Sequence, residues 1–176
     1  MRRPRPGAER HLTVHDYLTV AEPNPWDLPT PFTTELVVQA SDIDAYNHVN
    51  NAVYVTWFDQ AAWSHSSALG LPIERCLELD RGMAVLRSEI AYLRPALLGD
   101  RVAVATWLLA GNGKLRVRRR FQARRLSDAV TLARAEIEYV CIELSSGRPT
   151  RWPAPFHESY AVSADVAQAY TTLAPL

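Results

Sequence analysis

Apolar positions follow no regular period over residues 1–31, where Pro4, Pro6, Pro23, Pro25, Pro29 and Pro31 exclude regular helix and central strand. This stretch reads as an arm, with Tyr17 and Trp26 able to anchor it in a surface groove. From Thr33 to Ala40 the pattern alternates, Leu36 and Val38 facing one way and Val37 the other, which predicts a first strand. A polar loop follows from Ser41. Between about Asn51 and Leu69 the period changes: Tyr54, Trp57, Phe58, Ala61, Ala62, His65 and Ala68 recur at helical spacing. Val53, Val55, Trp63 and Leu69 add apolar groups on the remaining sides, so the helix is expected to be buried nearly all round. Asn50 suits its N-cap, and Gly70-Leu71-Pro72 stops it.

A short helical turn, Ile73 to Leu79, precedes four strand-like runs: Met83 to Arg94, Arg101 to Ala110, Lys114 to Leu126 and Val130 to Leu144. Pro95 to Asp100, Gly111-Asn112-Gly113 and Ser127-Asp128-Ala129 separate them, and this turn chemistry predicts antiparallel strands joined by hairpins. Ser163 to Leu173 reads as a terminal helix capped by Ser163. The fold class expected is α+β, an antiparallel five-stranded sheet wrapped around one long buried helix. Three regions follow: an arm over residues 1–31, a core domain over 32–150 and a C-terminal extension over 151–176 with a short helix. One helix on one sheet leaves much apolar surface, so a homodimer or homotetramer is expected.

Composition narrows the class. At 176 residues, 48% hydrophobic and 22% charged with zero net charge, the chain is an ordinary globular domain. It does not advertise nucleic acid or an acidic membrane as partner. Cys76 and Cys141 form no CxxC pair and fit a reducing cytoplasm. No apolar run approaches the roughly 20 residues that span a bilayer. The basic start, Met1 to Pro6, is followed by no apolar stretch of signal-peptide type.

The candidate chemistry is concentrated between Asp42 and Asn51, where two carboxylates, one imidazole and three carboxamides crowd the mouth of the long helix. Such a density of buried polar groups is costly unless the groups are paired or used. The string Asp42-Ile43-Asp44-x-x-Asn47-His48-Val49-Asn50-Asn51-x-x-Tyr54, followed by Trp57-Phe58, resembles the hot-dog fold thioesterases. It is similar both to the 4-hydroxybenzoyl-CoA type and to plant acyl-acyl-carrier-protein thioesterases. Glu89-Ile90-Ala91-Tyr92-Leu93-Arg94-Pro95-Ala96 with Gly99-Asp100 resembles that family's second strand and following turn. The resemblance covers roughly residues 33–145.

It implies an acyl thioester hydrolase acting on an acyl-CoA or acyl-carrier-protein substrate, with no metal and no redox cofactor. Asp44 falls on the family's catalytic aspartate, which attacks the thioester carbonyl or activates water. A helix N-terminus favours such a carboxylate, and its free amides, here those near Asn50 to Ala52, stabilise the oxyanion. His48 matches a histidine that orients or deprotonates water. Two positions depart from the family: Tyr46 stands where the plant pattern has asparagine, and Asn47 where the hydroxybenzoyl type has glycine. The resemblance implies catalytic roles for Asp44, His48, Asn50 and Asn51, and substrate contacts from Tyr54, Trp57, Phe58 and Glu89. An acyl chain of medium or long length suits the apolar helix better than a hydroxybenzoyl group.

The same residues have plainer roles. Asp44 suits an Asx-turn, Asp42 a loop brace, and Asn50 and Asn51 cap and loop positions. His48 is as well suited to a structural hydrogen bond. Tyr54, Trp57 and Phe58 are core or tunnel lining. Glu89 shares a strand face with Arg87 and can pair with it. His65 reads as a buried, satisfied histidine. His11, His15 and His157 lack ligand spacing, so no metal is assigned.

The basic run from Lys114 to Arg125 resembles a nucleic-acid patch. A hairpin centred on Asp128, however, sets Arg118 opposite Glu138 and Arg120 opposite Glu136, each pair worth about 0.2–1 kcal/mol. Arg94, Lys114 and Arg116 remain as candidates for the phosphates of coenzyme A. Two rival functions stay open: an acyl-thioester hydratase or dehydratase, and a non-catalytic acyl-binding protein on the same fold.

Overall fold

The computed structural model describes residues 25–109 and 113–176. Tyr17, most of the proline-rich arm, and Gly111 and Asn112 of the expected turn lie outside the described residues. The elements, in chain order, are β1 (Phe32–Val37), α1 (Asn51–Ala68), α2 (Ile73–Glu78), β2 (Arg81–Tyr92), β3 (Arg101–Leu109), β4 (Arg116–Arg125), β5 (Thr131–Glu143), α3 (Ala154–Ser159) and α4 (Ala164–Tyr170). All strand pairs are antiparallel. The first strand ends at Val37, short of the expected Ala40, which instead opens a short 3-10 turn, Ala40–Asp42.

The sheet order is β1-β3-β4-β5-β2, which corrects the expectation of hairpins throughout. β3–β4 and β4–β5 are joined as expected. β2, however, pairs with β5 at one edge, while β3 pairs with β1 at the other. The connection from Leu93 to Asp100 therefore crosses the end of the sheet, over a gap of three strand spacings, about 14 Å. Pro95 and Gly99 do turn the chain, but turn chemistry does not choose the strand to which it returns.

α1 begins where Asn50 accepts a hydrogen bond from Ala52 N–H at 2.9 Å, and ends before Gly70 at φ +86°, a conformation that glycine adopts without cost. Tyr54, Trp57, Phe58, Ala61, Ala62 and Ser66 face the sheet. Phe58 is fully buried and packs on Phe121 of β4 at 5.2 Å between ring centroids. Truncating such a ring costs about 3–5 kcal/mol. The helix is not buried all round: Val55 and Trp63 lie on an exposed face together with Asp59 and Gln60.

The other face of the sheet is covered as well. Trp26 and Leu28 from the arm, and Val166, Ala169 and Tyr170 from α4, pack on Ala105, Trp107 and Leu109. Trp107 Nε1 donates to Pro29 O at 2.8 Å. Asp27 receives hydrogen bonds from Arg134 and Arg120 on β5 and β4, and Arg120 also binds Glu136 at 2.8 Å. Arg118 and Arg120 stand opposite Glu138 and Glu136 in register. The salt bridges run partly along the diagonals, Arg116 to Glu138 at 3.0 Å and Arg118 to Glu136 at 3.9 Å. Ser163 occupies the N-cap position of α4 but makes no side-chain capping bond. α3 was not foreseen because Pro153 and Pro155 flank its start. Proline is tolerated in a first helical turn, and Phe156 and Tyr160 enter the main core from there.

Candidate active site

Asp44 opens a tight hairpin of its own. Its N–H donates to His48 O at 2.8 Å, and Asn47 N–H donates to Asp44 O at 3.0 Å. Asn47 sits at φ +60°, and a bridge joins Ile43 to Val49. This is the three-residue loop in which a turn is followed by a left-handed residue, a position that asparagine tolerates. The Asp44 carboxylate is half-buried, and its Oδ1 accepts from Tyr46 N–H at 2.8 Å and, more loosely, from His48 N–H at 3.4 Å. The Asx-turn is therefore present. Among the described residues Oδ2 receives no hydrogen bond, so one oxygen orients the group and the other is uncommitted.

Asp42 braces the loop: its Oδ2 accepts from Gln39 N–H and its carbonyl accepts from Asn50 N–H at 2.9 Å. This changes the set of backbone donors expected over Asn50 to Ala52. Asn50 N–H is spent on Asp42, and Ala52 N–H on the Asn50 cap. Asn51 N–H has no acceptor among the described residues, and it stands at the positive end of the α1 dipole.

The crossing segment is fastened to the same helix end. Val49 N–H donates to Ala96 O at 3.0 Å, and Ala96 N–H donates to the Tyr54 hydroxyl at 3.1 Å. The Tyr92 hydroxyl donates to Asn51 O at 3.0 Å, and its ring meets Tyr54 edge-on at 5.5 Å. Burial raises the pKa of both phenols, which keeps them neutral donors and acceptors. Arg125 and Leu97 N–H both bind Asp100 Oδ2, which fixes the far end of the crossing.

A cleft of about 600 Å³ opens over this assembly. It brings together Asp44, His48, Asn50, Asn51, Tyr54 and Arg94 from the expected set. Tyr46, Val49, Tyr92, Leu93 and Pro95 complete its walls and were not foreseen as lining. Tyr92 had a faint signal in the sequence, as an aromatic residue ending a strand just before the Pro95 turn. Arg94 is exposed and donates to Leu93 O at 2.7 Å.

The remaining candidates do not join this cleft. Trp57 packs on Tyr54 at 4.8 Å and, like Phe58, belongs to the core. Glu89 lies on the opposite sheet face from the core residue Ile90, ion-paired with Arg87 at 3.2 Å. Lys114 and Arg116 stand at the other end of the sheet. Arg116 is in register with Val140 and Ala84, whereas the cleft residue Tyr92 is in register with Ala133 and Ala123. Seven residues of β4 separate those levels, about 23 Å at 3.3 Å per residue. Arg116 is moreover bound to Glu138. Among the described residues no group of three or more His, Cys, Asp or Glu side chains converges as a metal site.

Comparison with known proteins agrees with this fold. The family model of the thioesterase-like superfamily matches residues 38–161. The chain is 30% identical over 124 residues to the long-chain acyl-CoA thioesterase FadM of Escherichia coli, covering 64% of this chain and 84% of that one. Its fold is similar to a 1,4-dihydroxy-2-naphthoyl-CoA thioesterase from Synechocystis, with a TM-score of 0.67, 23% identity, and coverage of 74% of this chain and 96% of that one. It is also similar to a Staphylococcus aureus protein solved in complex with CoA, with a TM-score of 0.69, 20% identity, and coverage of 84% and 88%. With a five-stranded antiparallel sheet behind one long helix and a family match across most of its length, this chain belongs to the thioesterase-like superfamily of hot-dog proteins.

Proposed function

We propose that this thioesterase hydrolyses an acyl-CoA at the N-terminus of α1. Asp44 acts as nucleophile or general base, and Asn51 N–H is the oxyanion donor. The observation that carries this reading is the pairing of two uncommitted groups on one cleft: Asp44 Oδ2 and Asn51 N–H. In the base form, Asp44 takes a proton from water as the oxygen adds to the thioester carbonyl. The C–S bond then breaks, and the thiolate leaves and is protonated to the free thiol. In the nucleophile form, Asp44 Oδ2 adds first, the C–S bond breaks and the thiolate leaves to be protonated, and water then hydrolyses the resulting anhydride to the free acid and the Asp44 carboxylate. Both routes place negative charge on the former carbonyl oxygen, where one backbone donor is worth about 2.7–4 kcal/mol of barrier. His48, on the same cleft, is suited to hold the water.

A medium or long acyl chain is the proposed substrate, supported by the name of the E. coli relative and by the apolar surface that Tyr92 and Leu93 present. Coenzyme A is proposed as carrier ahead of acyl carrier protein. Arg94, exposed on the cleft, is the proposed contact for its phosphates. The proposed assembly is a homodimer built on β2, a twelve-residue edge strand with Val85 and Leu86 exposed. An open edge of that length invites a second copy. The buried free thiols Cys76 and Cys141 suit a reducing compartment, and the cytoplasm is the proposed location. No described helix is long and apolar enough to cross a membrane.

The test is a panel of acyl-CoA thioesters of graded chain length, with one aromatic thioester and one acyl carrier protein substrate, run on wild type and Asp44→Asn. Released thiol is read with a chromogenic thiol reagent. Turnover with thiol release that collapses in Asp44→Asn supports the reading. Modification of the acyl chain without thiol release assigns a hydratase instead, and binding without turnover assigns an acyl-binding protein.

A further inference from the structure

A second cavity, of about 40 Å³, lies between α1, α2 and the sheet, about 12 Å further along α1 at 1.5 Å per residue from Tyr54 to Ala62. Its apolar walls include Ala62, Cys76, Met83 and Val117. Two of its polar lining groups are buried and incompletely used. Arg119 is 3% exposed, and no Asp or Glu among the described residues forms an ion pair with it. Its Nη1 donates to His65 Nδ1 at 2.9 Å, its Nη2 donates to Ser66 Oγ at 2.9 Å, and its guanidinium lies over the Tyr160 ring. Every one of these partners is neutral. A guanidinium has only donors, so His65 Nδ1 accepts and the ring is uncharged. The second group is Tyr139, 5% exposed, whose hydroxyl has no hydrogen-bond partner among the described residues. An isolated buried cation costs several kcal/mol, and an orphaned hydroxyl about 1–3 kcal/mol, unless something fills the space between them.

We propose that this cavity binds the carboxylate of an aliphatic acid. The carboxylate sits on Arg119 and the Tyr139 hydroxyl, and its hydrocarbon leads out past Met83 and Trp63. Each Nη carries a further hydrogen for a charge-assisted bond, and a guanidinium matches a carboxylate in geometry. The apolar walls suit an alkyl chain. Asp59 stands at the exposed mouth beside Trp63, and burial raises its pKa. The site is separate from the Asp44 cleft and does not depend on Asp44 being catalytic. The acid matches the product class of thioester hydrolysis, a free aliphatic acid whose chain leaves past Met83, away from the Asp44 cleft.

Calorimetric titration of the full chain with octanoate and with octanamide tests the proposal, on wild type, Tyr139→Phe, Arg119→Met and Asp44→Asn. The expected result is that octanoate binds wild type and Asp44→Asn alike, at least tenfold more tightly than octanamide, and about tenfold more weakly to Tyr139→Phe. Because the Tyr139 hydroxyl has no partner among the described residues, a purely structural role predicts a Tyr139→Phe variant at least as stable as wild type with unchanged octanoate binding. That result overturns the proposal, as does equal binding of octanoate and octanamide. Tyr139→Phe decides the matter should Arg119→Met fail to fold.

Discussion

Replacing Tyr54 by phenylalanine removes one oxygen from the hinge of the cleft and leaves the ring in place. Tyr54 is 2% exposed, and its hydroxyl accepts from Ala96 N–H at 3.1 Å, while Ala96 itself is fully buried. In the variant this amide has no acceptor and no access to bulk water. The cost is the desolvation of an unpaired buried group, about 1–3 kcal/mol, rather than the smaller net value of an ordinary hydrogen bond. For a chain of this size, each 1 kcal/mol lowers Tm by about 2–4 °C, so the expected loss is about 2–12 °C. Tyr92→Phe is the internal control. Its hydroxyl donates to Asn51 O at a similar 3.0 Å, but Tyr92 is 42% exposed, and water replaces the lost donor. Its expected cost is below about 1 kcal/mol. Scanning calorimetry of the two variants beside wild type reads the difference directly. Because Ala96 O also holds Val49, two residues before the helix start, kcat/KM is expected to fall in Tyr54→Phe through a loosened crossing segment. Equal Tm shifts for Tyr54→Phe and Tyr92→Phe would refute the argument that burial, and not bond length, sets the cost.

Four further outcomes are expected. Asp44→Asn lowers kcat by about a thousandfold or more in the thiol-release assay while Tm stays within a few degrees, because the carboxamide oxygen still accepts from Tyr46 N–H. Asn50→Ala removes the α1 cap and costs about 1 kcal/mol, read by urea denaturation at unchanged m-value. Burial and the neighbouring Arg119 hold the His65 pKa down at about 4 against 6.5 when unfolded; the unfolded chain therefore binds the extra proton between these values. Stability from this residue is complete above pH 6.5 and is lost as pH falls toward 4, at up to about 1.4 kcal/mol per pH unit, and His65→Gln flattens that limb of a pH–stability profile. Asp27 is raised by burial but lowered more by hydrogen bonds and charge from Arg134 and Arg120, so its net folded pKa is below the ordinary carboxylate value. Its contribution is present above about pH 4 and is lost below it. Asp27→Asn is expected to cost up to about 3 kcal/mol at pH 7, since Glu136 still holds Arg120, with the difference from wild type vanishing in acid.

Much of the secondary structure was legible because its signals are local. Asn50 and Gly70 mark the ends of α1 within the chain itself, and the Asp128 turn sets the β4–β5 register that aligns Arg120 with Glu136. The loop carrying Asp44 was legible too, since an aspartate followed three residues later by asparagine closes a short hairpin without help from distant residues. What was not legible depended on where the chain returned. Period-2 alternation put Arg116, Arg118 and Arg120 on one face, but the cover of Trp26, Asp27 and Tyr170 that buries Arg120 comes from both ends of the chain.

The sequence by itself determined the parts of this protein: one long capped helix, strands with their faces, and a carboxylate in a tight turn just before the helix. Those follow from dihedral preference and side-chain period, which act over a few residues. Only the tertiary structure decided the order of the sheet, and with it the cleft. The crossing from β2 to β3 carries Tyr92 and Ala96 to the mouth of α1, while the same ordering leaves Lys114 and Arg116 at the far end and gives Arg119 its neutral partners on α1 and just after α3. Strand order is set by which buried faces fit together at least cost in unpaired polar groups, and that sum runs over residues the chain brings together only when it folds.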